Sequence, residues 1–150
     1  MKIYNLKEKL DYLDEVVKLE YEEWANDKEK NKNERIERKK EKICSMFDIK
    51  SFCKLILLDG NILIGFISIF PKDCVEEQKL TPWYATMYVK KEYRNNGYSR
   101  ILNDAILKEA KSRKFKVIYL KTELVNYYEK FGAILIKKLK SGEYLYKFDL

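Results

Sequence analysis

Apolar residues recur at helical spacing near the start of the chain. They stand three or four positions apart, at Leu10, Leu13, Val17, Tyr21 and Trp24. This period places them on one face of an amphipathic helix whose other face is polar. A short strand is expected before the helix, over Lys2 to Leu6.

The next segment is almost wholly charged. From Asp27 to Lys42, lysine and arginine outnumber the acids, but the two signs are mixed. Ile36, Ile43 and Phe47 form only a thin apolar stripe. Mixed-sign runs are typical of a solvated helix on the protein surface, and the alternative is a wall of a substrate site.

Patterns typical of strands fill the middle of the chain. Phe52 to Leu58 and Ile62 to Phe70 flank an Asp-Gly-Asn segment, and an Asp-Gly pair between apolar runs predicts a hairpin. Pro71 ends the second strand because proline has no N–H to donate to a ladder. After a polar loop over Asp73 to Lys79, a further strand is expected over Trp83 to Val89.

The C-terminal third alternates between helical and strand patterns. Helical spacing returns at Ile101, Leu102, Ala105, Ile106 and Ala110. A buried strand is expected over Val117 to Leu120, and a helical turn over Tyr127 to Phe131 is ended by Gly132, a suitable C-terminal cap. The strands Ile134 to Leu139 and Tyr144 to Phe148 then form a closing hairpin.

The order of these elements is β, α, α, β, β, β, α, β, α, β, β. Because hairpins are mixed with helical crossovers, the order predicts an α/β fold with a mixed, mostly antiparallel central sheet and flanking helices. No linker or internal repeat divides the sequence, so we expect residues 1–150 to form one domain.

Composition narrows the chemistry. Lysine and arginine total 31 and the acids 24, so the formal charge is +7, which favours an anionic partner such as a nucleic acid or a phosphorylated cofactor. Histidine is absent, which removes the commonest general base and excludes Ser-His-Asp and Cys-His hydrolases. Three cysteines without a Cys-x-x-Cys pair indicate neither a disulfide framework nor a zinc site, and no metal is expected.

The apolar runs predict neither a signal peptide nor a membrane span. The segment Met1 to Leu6 has no apolar stretch of signal-peptide length. The longest apolar stretch, Leu55 to Phe70, is interrupted by polar residues and is too short to cross a bilayer. A cytoplasmic protein is therefore expected.

One loop carries most of the predicted chemistry, between the strand that ends at Val89 and the helix that follows Ser99. A helix N-terminus offers unpaired N–H groups and about half a positive charge, which together bind anions such as pyrophosphate. Gly97 lets the backbone approach a phosphate because it has no Cβ. Positive charge is added by Lys90, Lys91, Arg94 and Arg100. The alternative is a plain tight turn at Asn96-Gly97.

This loop resembles the signature of the GNAT superfamily of acyl-CoA-dependent N-acetyltransferases. The family pattern is a valine that ends a strand, then Gln/Arg-x-x-Gly-x-Gly/Ala opening a helix. Here it reads Val89, Arg94, Gly97 and Ser99, with serine in place of the last Gly or Ala.

A second stretch, Tyr127 to Ala133, resembles the family element Tyr-Glu-Lys-x-Gly-Phe that follows the fifth strand, with Ala133 replacing Phe. Leu120-Lys121-Thr122 and Gly65-Phe66 also resemble family elements. These elements stand in the family's order, and the resemblance covers about the whole chain.

The resemblance implies a GNAT-like fold whose fourth and fifth strands splay apart around the pantetheine arm of acetyl-CoA. It implies backbone contacts of Met87 and Val89 with pantetheine, N–H groups from Arg94 to Ser99 around the pyrophosphate, and Asn126 near the thioester. The full set of implied cofactor contacts is Met87, Tyr88, Val89, Arg94, Asn95, Asn96, Gly97, Tyr98, Ser99, Arg100 and Asn126.

The implied reaction is direct transfer of the acetyl group to a primary amine. Tyr128 matches the position from which a family tyrosine protonates the departing thiolate, with Tyr127 as the fallback. Glu123 is the candidate base, and Glu143, another tyrosine or a water relay are the alternatives. The aromatic residues of the fourth strand, Trp83, Tyr84 and Tyr88, line the acceptor pocket or belong to the core.

Two rival functions stay open. The charge and the 12 tyrosines suit a nucleic-acid or ribosome-associated binding module. However, the basic residues are interleaved with acids, so a nucleic acid is not the expected partner. The second rival is a non-catalytic acyl-CoA sensor. The acceptor, a small molecule or a protein, is not readable from the sequence, although the basic surface disfavours a polycationic one. A homodimer is left open.

Overall fold

The computed structural model describes residues 1–25 and 30–150. In these ranges the strands are β1 (Lys2–Asn5), β2 (Cys53–Asp59), β3 (Ile62–Phe70), β4 (Trp83–Val89), β5 (Val117–Thr122), β6 (Ile134–Lys138) and β7 (Tyr144–Asp149). The α-helices are α1 (Leu13–Trp24), α2 (Lys32–Met46) and α3 (Tyr98–Ser112). None of the helices in the described ranges is long and apolar enough to cross a membrane.

All seven strands join in one sheet, in the order β1-β2-β3-β4-β5-β7-β6. Every neighbouring pair is antiparallel except β4 and β5, which are parallel. The predicted mixed, mostly antiparallel sheet is therefore confirmed. The closing hairpin also forms as expected, and its second strand, β7, inserts between β5 and β6.

Helices cover both faces of the sheet. Leu102, Ile106 and Ala110 of α3 pack in one apolar cluster with Leu55 and Leu57 of β2. The second cluster places α1 and α2 against the opposite face. Because side chains alternate along a strand, β2 is buried on both sides, which explains its nearly continuous apolar sequence.

The first helix differs from its prediction. Leu10 lies in a 3-10 turn and is 51% exposed, and the α-helix begins only at Leu13. Leu6, fully buried, ties the preceding turn to the core, so the helical period starts later. The buried face of α1 also includes Glu20, a charged residue that the apolar pattern could not assign to the interior.

The charged segment behaves as expected where it is described. The part of the predicted helix over residues 27–29 lies outside the described residues, and α2 begins at Lys32. Ile36 and Ile43 are its buried residues. The thin apolar stripe is therefore enough to dock a mostly solvated helix on the sheet.

Candidate active site

Strands β4 and β5 pair at Trp83 and Tyr119 and then separate. The predicted splay of the fourth and fifth strands is thus present. A cavity of about 670 Å³ opens in the gap. It is lined by Glu23, Trp24, Asp73, Tyr84, Ala85, Thr86, Met87, Leu120, Lys121, Thr122, Glu123, Leu124, Tyr128 and Glu143.

Tyr128 reaches this cavity from the 3-10 turn Tyr128–Phe131, which Gly132 ends with a φ of 99°. Its ring meets Tyr84 and Tyr127 edge-on, at centroid distances of 5.8 and 4.8 Å. Burial, reinforced by Tyr127, raises the pKa of Tyr128 to about 12. The hydroxyl makes no hydrogen bond within residues 1–25 and 30–150. It is therefore a protonated donor available to a ligand in the cavity.

In the described part of the chain, four carboxylates and one lysine line the cavity. Glu123 is exposed at its edge, whereas Asp73 and Glu143 are half-buried. Lys121 places its Nζ 4.0 Å from Oε1 of Glu143. Burial raises the pKa of Asp73 to about 6, with Glu143 adding to the shift and Lys121 opposing it.

Sequence reasoning missed Asp73. The sequence places Asp73 in a polar loop between two strands, and no local pattern separates it from the loop's other acids. Only the folded sheet brings that loop beside β5 and β7. By contrast, Glu123 and Tyr128, both named from the sequence, do lie at the cavity.

The predicted phosphate loop has a concave backbone. Asn95 and Gly97 both adopt positive φ, 65° and 78°, immediately before α3 begins at Tyr98. Successive N–H groups in such a turn form anion-binding concavities. No side chain of residues 1–25 or 30–150 caps the N-terminus of α3, and Asn96 instead donates to the carbonyl oxygens of Tyr93 and Arg94, each at 3.1 Å. The first N–H groups of α3 are therefore not occupied by a side-chain cap.

The arginines of this region also have structural partners. Arg94 donates from Nε to the carbonyl oxygen of Val89 at 2.8 Å and lies 5.5 Å from the Tyr88 ring centroid. Arg100 donates to the carbonyl oxygen of Lys130 at 3.3 Å, which ties α3 to the Tyr128 turn. These bonds hold the loop and the turn in place relative to the cavity.

Of the other residues predicted to contact the cofactor, only some lie at the cavity. Met87 lines the cavity, whereas Tyr88 stacks on Phe66 at 5.3 Å, on the face covered by α1 and α2. Asn126 is exposed in the loop after β5, with a φ of 58°, and does not line the cavity. Lys90, expected to add charge near the phosphate loop, pairs instead with Glu15 of α1 at 2.6 Å.

Beneath β4 lies a polar network that the sequence did not reveal. Lys54 is fully buried, and its Nζ contacts Glu20 Oε1 at 3.0 Å and Ser68 Oγ at 2.7 Å. Burial lowers the pKa of Lys54, and the Glu20 carboxylate opposes that shift. The network ends at Thr86, which lines the cavity and has a φ of 49°.

Comparison with known proteins gives one family. A model described as the acetyltransferase (GNAT) family matches residues 13–133. No curated protein matches the sequence significantly.

Solved structures share the fold over nearly the whole chain. An aminoglycoside 6'-N-acetyltransferase from Enterococcus faecium has 18% identity and a TM-score of 0.67, covering 99% of this chain and 97% of its own. An aminoglycoside 6'-N-acetyltransferase complexed with coenzyme A has 17% identity, the same coverage and a TM-score of 0.67. A Salmonella typhimurium protein, yncA, solved with its cofactor acetyl-CoA, has 15% identity, coverage of 99% and 93%, and a TM-score of 0.68. At these identities the likeness establishes the fold.

Proposed function

The chain belongs to the GNAT family of acetyltransferases, and from this we propose that it transfers the acetyl group of acetyl-CoA directly to a primary amine. The observation that carries the proposal is the gap between β4 and β5, which Tyr128 lines. The loop that follows β4 leads to the N-terminus of α3, which has no side-chain cap within the described residues. An extended, pyrophosphate-bearing thioester fits that arrangement.

The cofactor binds by its pyrophosphate and its pantetheine arm. N–H groups of Arg94 to Ser99 receive the pyrophosphate, with Arg100 nearby, and the arm runs along β4 past Val89, Tyr88 and Met87. The N–H of Lys90 donates to Ile64 of β3 at 2.9 Å. Because backbone polar groups alternate in direction along a strand, the N–H of Val89 points away from β3 and toward the gap, whereas its carbonyl oxygen already accepts from Arg94 Nε at 2.8 Å. Asn126 stays a proposed contact near the thioester.

The amine nitrogen attacks the thioester carbonyl carbon, a C–N bond forms, and the C–S bond then breaks. An acceptor that arrives as an ammonium ion first loses a proton, because its nitrogen needs a free lone pair to attack. After the attack the positively charged nitrogen of the tetrahedral intermediate loses a second proton, and the departing sulfur gains one, so one proton in total leaves to solvent and the product is a neutral amide. Tyr128 donates to that sulfur. Its pKa of about 12 makes it a weak acid but keeps it protonated at every working pH, so it stabilises the developing thiolate by hydrogen bonding.

Asp73 and Glu123 are the carboxylates that we propose to handle the amine proton. An effective base has a pKa near the operating pH, and Asp73, at about 6, meets that condition. Glu123, at the cavity edge, orients the amine or a water that relays the proton. Among the described residues the cavity lining has four carboxylates and one lysine, and this excess of negative charge favours an acceptor that arrives as a cation.

The test combines binding and turnover. Calorimetry should detect CoA, and CoA at 100 times its dissociation constant should stabilise the protein by about 2.7 kcal/mol. An amine library with acetyl-CoA, followed by thiol release, then identifies acceptors. Aminoglycosides belong in that library because two similar structures are described as aminoglycoside acetyltransferases.

Three results separate this proposal from its rivals. CoA binding with acetyl transfer supports the enzyme, and CoA binding without transfer to any amine supports a sensor. Salt-dependent binding to RNA or DNA without CoA binding supports a nucleic-acid module.

A further inference from the structure

A line of hydrogen bonds runs through the protein interior from α1 to the cavity. It begins at Glu20, passes through Lys54 on β2 and Ser68 on β3, and ends at Thr86 on β4. Glu20, Lys54 and Ser68 are all buried, at 1%, 0% and 0% exposure. Charged and polar groups are rarely placed so deep without a specific reason, because desolvation is costly unless every group is paired.

Only one assignment of donors and acceptors along these hydrogen bonds leaves no buried donor without an acceptor. The Lys54 ammonium has only donors, so at 2.7 Å it must donate to Ser68 Oγ. The Ser68 hydrogen then needs an acceptor, and within the described ranges its remaining neighbour is Thr86 Oγ1, at 2.5 Å. Since a buried unpaired donor is rare, Ser68 donates to Thr86.

Thr86 is consequently left with an unused donor. Its oxygen accepts from Ser68 and, at 3.5 Å, from the third N–H of Lys54, and its own hydrogen has no acceptor in residues 1–25 and 30–150. Thr86 is half-buried and lines the cavity. Hydrogen bonds in series polarise one another, so a cation at the far end strengthens Thr86 as a donor toward the cavity.

The backbone of Thr86 lies in a bulge of β4 and has a strained conformation. The register of β3 and β4 shifts between Phe66 and Ser68, which leaves a bulge in β4 at Thr86 and Met87. A β-branched residue with a φ of 49° is strained. The hydrogen bond from Ser68 offsets that strain, and bulges of this kind re-aim side chains next to active sites.

The position of Thr86 matches the reacting end of the proposed cofactor. The inference rests on the proposed function, in which the arm runs from α3 along β4 past Val89 and then Met87. Continued in the same direction, the arm brings its thioester opposite Ala85 and Thr86. Tyr128, which the proposed function assigns to the departing sulfur, lines the same cavity.

We infer that Thr86 donates a hydrogen bond to the acetyl carbonyl oxygen as negative charge develops on it, with Lys54 and Ser68 as positioning residues that polarise the Thr86 hydroxyl. The Thr86 hydrogen remains on its oxygen throughout, so the proton balance of the acetyl transfer is unchanged. The donor is more valuable in the transition state than in the ground state, because charge on the carbonyl oxygen is largest there.

The first experiment compares Thr86→Val with Thr86→Ser. Valine keeps the size and the β-branching, and hence the backbone strain, but has no hydroxyl, whereas serine keeps the hydroxyl. Loss of one oxyanion donor typically lowers the rate about 10²- to 10³-fold, so for this side-chain donor we expect single-turnover transfer by Thr86→Val to fall about tenfold to hundredfold. Thr86→Ser should stay within about threefold of the wild type, and both variants should bind CoA within about twofold of its affinity.

The second experiment does not require an amine acceptor. Infrared difference spectra of acetyl-CoA labelled with ¹³C at the carbonyl report hydrogen bonding to the thioester oxygen in the bound state. We expect the carbonyl frequency to be lowered on binding to the wild type and to Thr86→Ser, and to return toward its free value in Thr86→Val. A frequency that is the same in Thr86→Val and wild type would overturn the inference, whether or not an amine acceptor is found.

The role of Lys54 requires removal of both buried charges, because Lys54→Met alone leaves the buried Glu20 carboxylate with only Lys39, 3.6 Å from its Oε2. The double variant Lys54→Met with Glu20→Met removes the ion pair together. A transfer rate lowered about threefold to tenfold, with a carbonyl frequency between those of wild type and Thr86→Val, would support polarisation by Lys54. An unchanged frequency would refute it.

The outcomes also separate this inference from the proposed function. Loss of CoA affinity in Thr86→Val in proportion to its loss of rate would show that Thr86 only shapes the β4 backbone, and would overturn the donor role while leaving the enzyme intact. Absence of CoA binding to the wild type would overturn both. CoA binding with the predicted infrared shift but without amine transfer would support the donor and refute the proposed acceptor.

Discussion

Asp73 offers an unusual test, because its burial predicts opposite effects on stability and on activity. Its pKa rises from 3.8 to about 6 on folding, a difference of about 2.2 units. At about 1.36 kcal/mol per unit this corresponds to about 3 kcal/mol, and partial contact with solvent reduces it to about 1.5 kcal/mol. We therefore expect Asp73→Asn to stabilise the protein at pH 7 by about 1.5 kcal/mol while it lowers acetyl transfer.

The direction of this change in stability follows from the linkage between proton binding and folding. The folded state holds the Asp73 proton more tightly than the unfolded state, so between pH 3.8 and about 6 the free energy of unfolding decreases as pH rises. Above pH 6 the Asp73 carboxylate is charged and partly desolvated in the folded state, so the free energy of unfolding is lowered by the full amount. Below pH 3.8 both states are protonated and the cost vanishes. The stabilisation by Asp73→Asn should accordingly be present at pH 7 and nearly absent at pH 4.

Urea denaturation at pH 7 and at pH 4 measures this difference in the free energy of unfolding.

If Asp73 is the base, the wild-type rate should rise with pH through about 6, and Asp73→Asn should lose that rise and about 10²- to 10⁴-fold of the rate. Asp48→Asn is the matched control, because Asp48 is exposed, outside the cavity, and changes the net charge equally. Equal stability of Asp73→Asn and wild type at pH 7, or an acid limb that survives the substitution, would refute the reasoning.

Four further variants test the rest of the site. Gly97→Glu should abolish CoA binding measured by calorimetry, because the new side chain crowds and repels the pyrophosphate, whereas Gly60→Glu, also at positive φ but in the β2–β3 hairpin, should bind CoA normally. Tyr128→Phe removes only the hydroxyl and should lower single-turnover transfer about 10²- to 10⁴-fold with CoA affinity nearly unchanged. Glu123→Gln should lower turnover while the rise through pH 6 persists, if Glu123 orients the amine or water rather than taking the proton. Gly65→Ala should destabilise the fold by about 1–3 kcal/mol in urea denaturation, since a Cβ at Gly65 would clash with the backbone oxygen of Tyr88 and lie 3.2 Å from Leu102 Cδ1.

Each of these variants has an outcome that would count against its prediction. Retained CoA affinity in folded Gly97→Glu would show that the loop is not the phosphate site. A normal transfer rate in Tyr128→Phe would leave that residue with a packing role only. An unchanged pH–rate profile and rate in Glu123→Gln would show that Glu123 is a surface charge without a role in the reaction. Full stability of Gly65→Ala would show that β3 and β4 can move apart with little loss of stability.

Local patterns in the sequence were enough to predict the order of most elements. The hairpin between β2 and β3 needs only an Asp-Gly turn between apolar runs, and the turn before Gly132 needs only a residue that tolerates positive φ. The loop from Val89 to Ser99 and the turn at Tyr128 are identified through their resemblance to family elements, and each resemblance is readable because its residues are contiguous in the chain. The assignment of catalytic and cofactor roles to them stays a prediction that the variants above test.

The tertiary structure decided what depends on residues distant in sequence. Strand order is one example, since β7 lies between β5 and β6, and no local signal states which strands become neighbours. Asp73 is another, because its pKa is set by burial beside Lys121 and Glu143, about 50 and 70 residues away along the chain.

The charges show most clearly the difference between what the sequence determined and what only the tertiary structure decided. The sequence by itself determined a net charge of +7 and hence a preference for anionic partners. Folding nevertheless collects, among the described residues, four carboxylates and one lysine around the cavity. It also buries Lys54 against Glu20 and aims the resulting network at Thr86. Composition sums charges over the whole surface, whereas binding and catalysis depend on the few charges that the fold places within a few ångströms of the reacting atoms, where they are least screened by water.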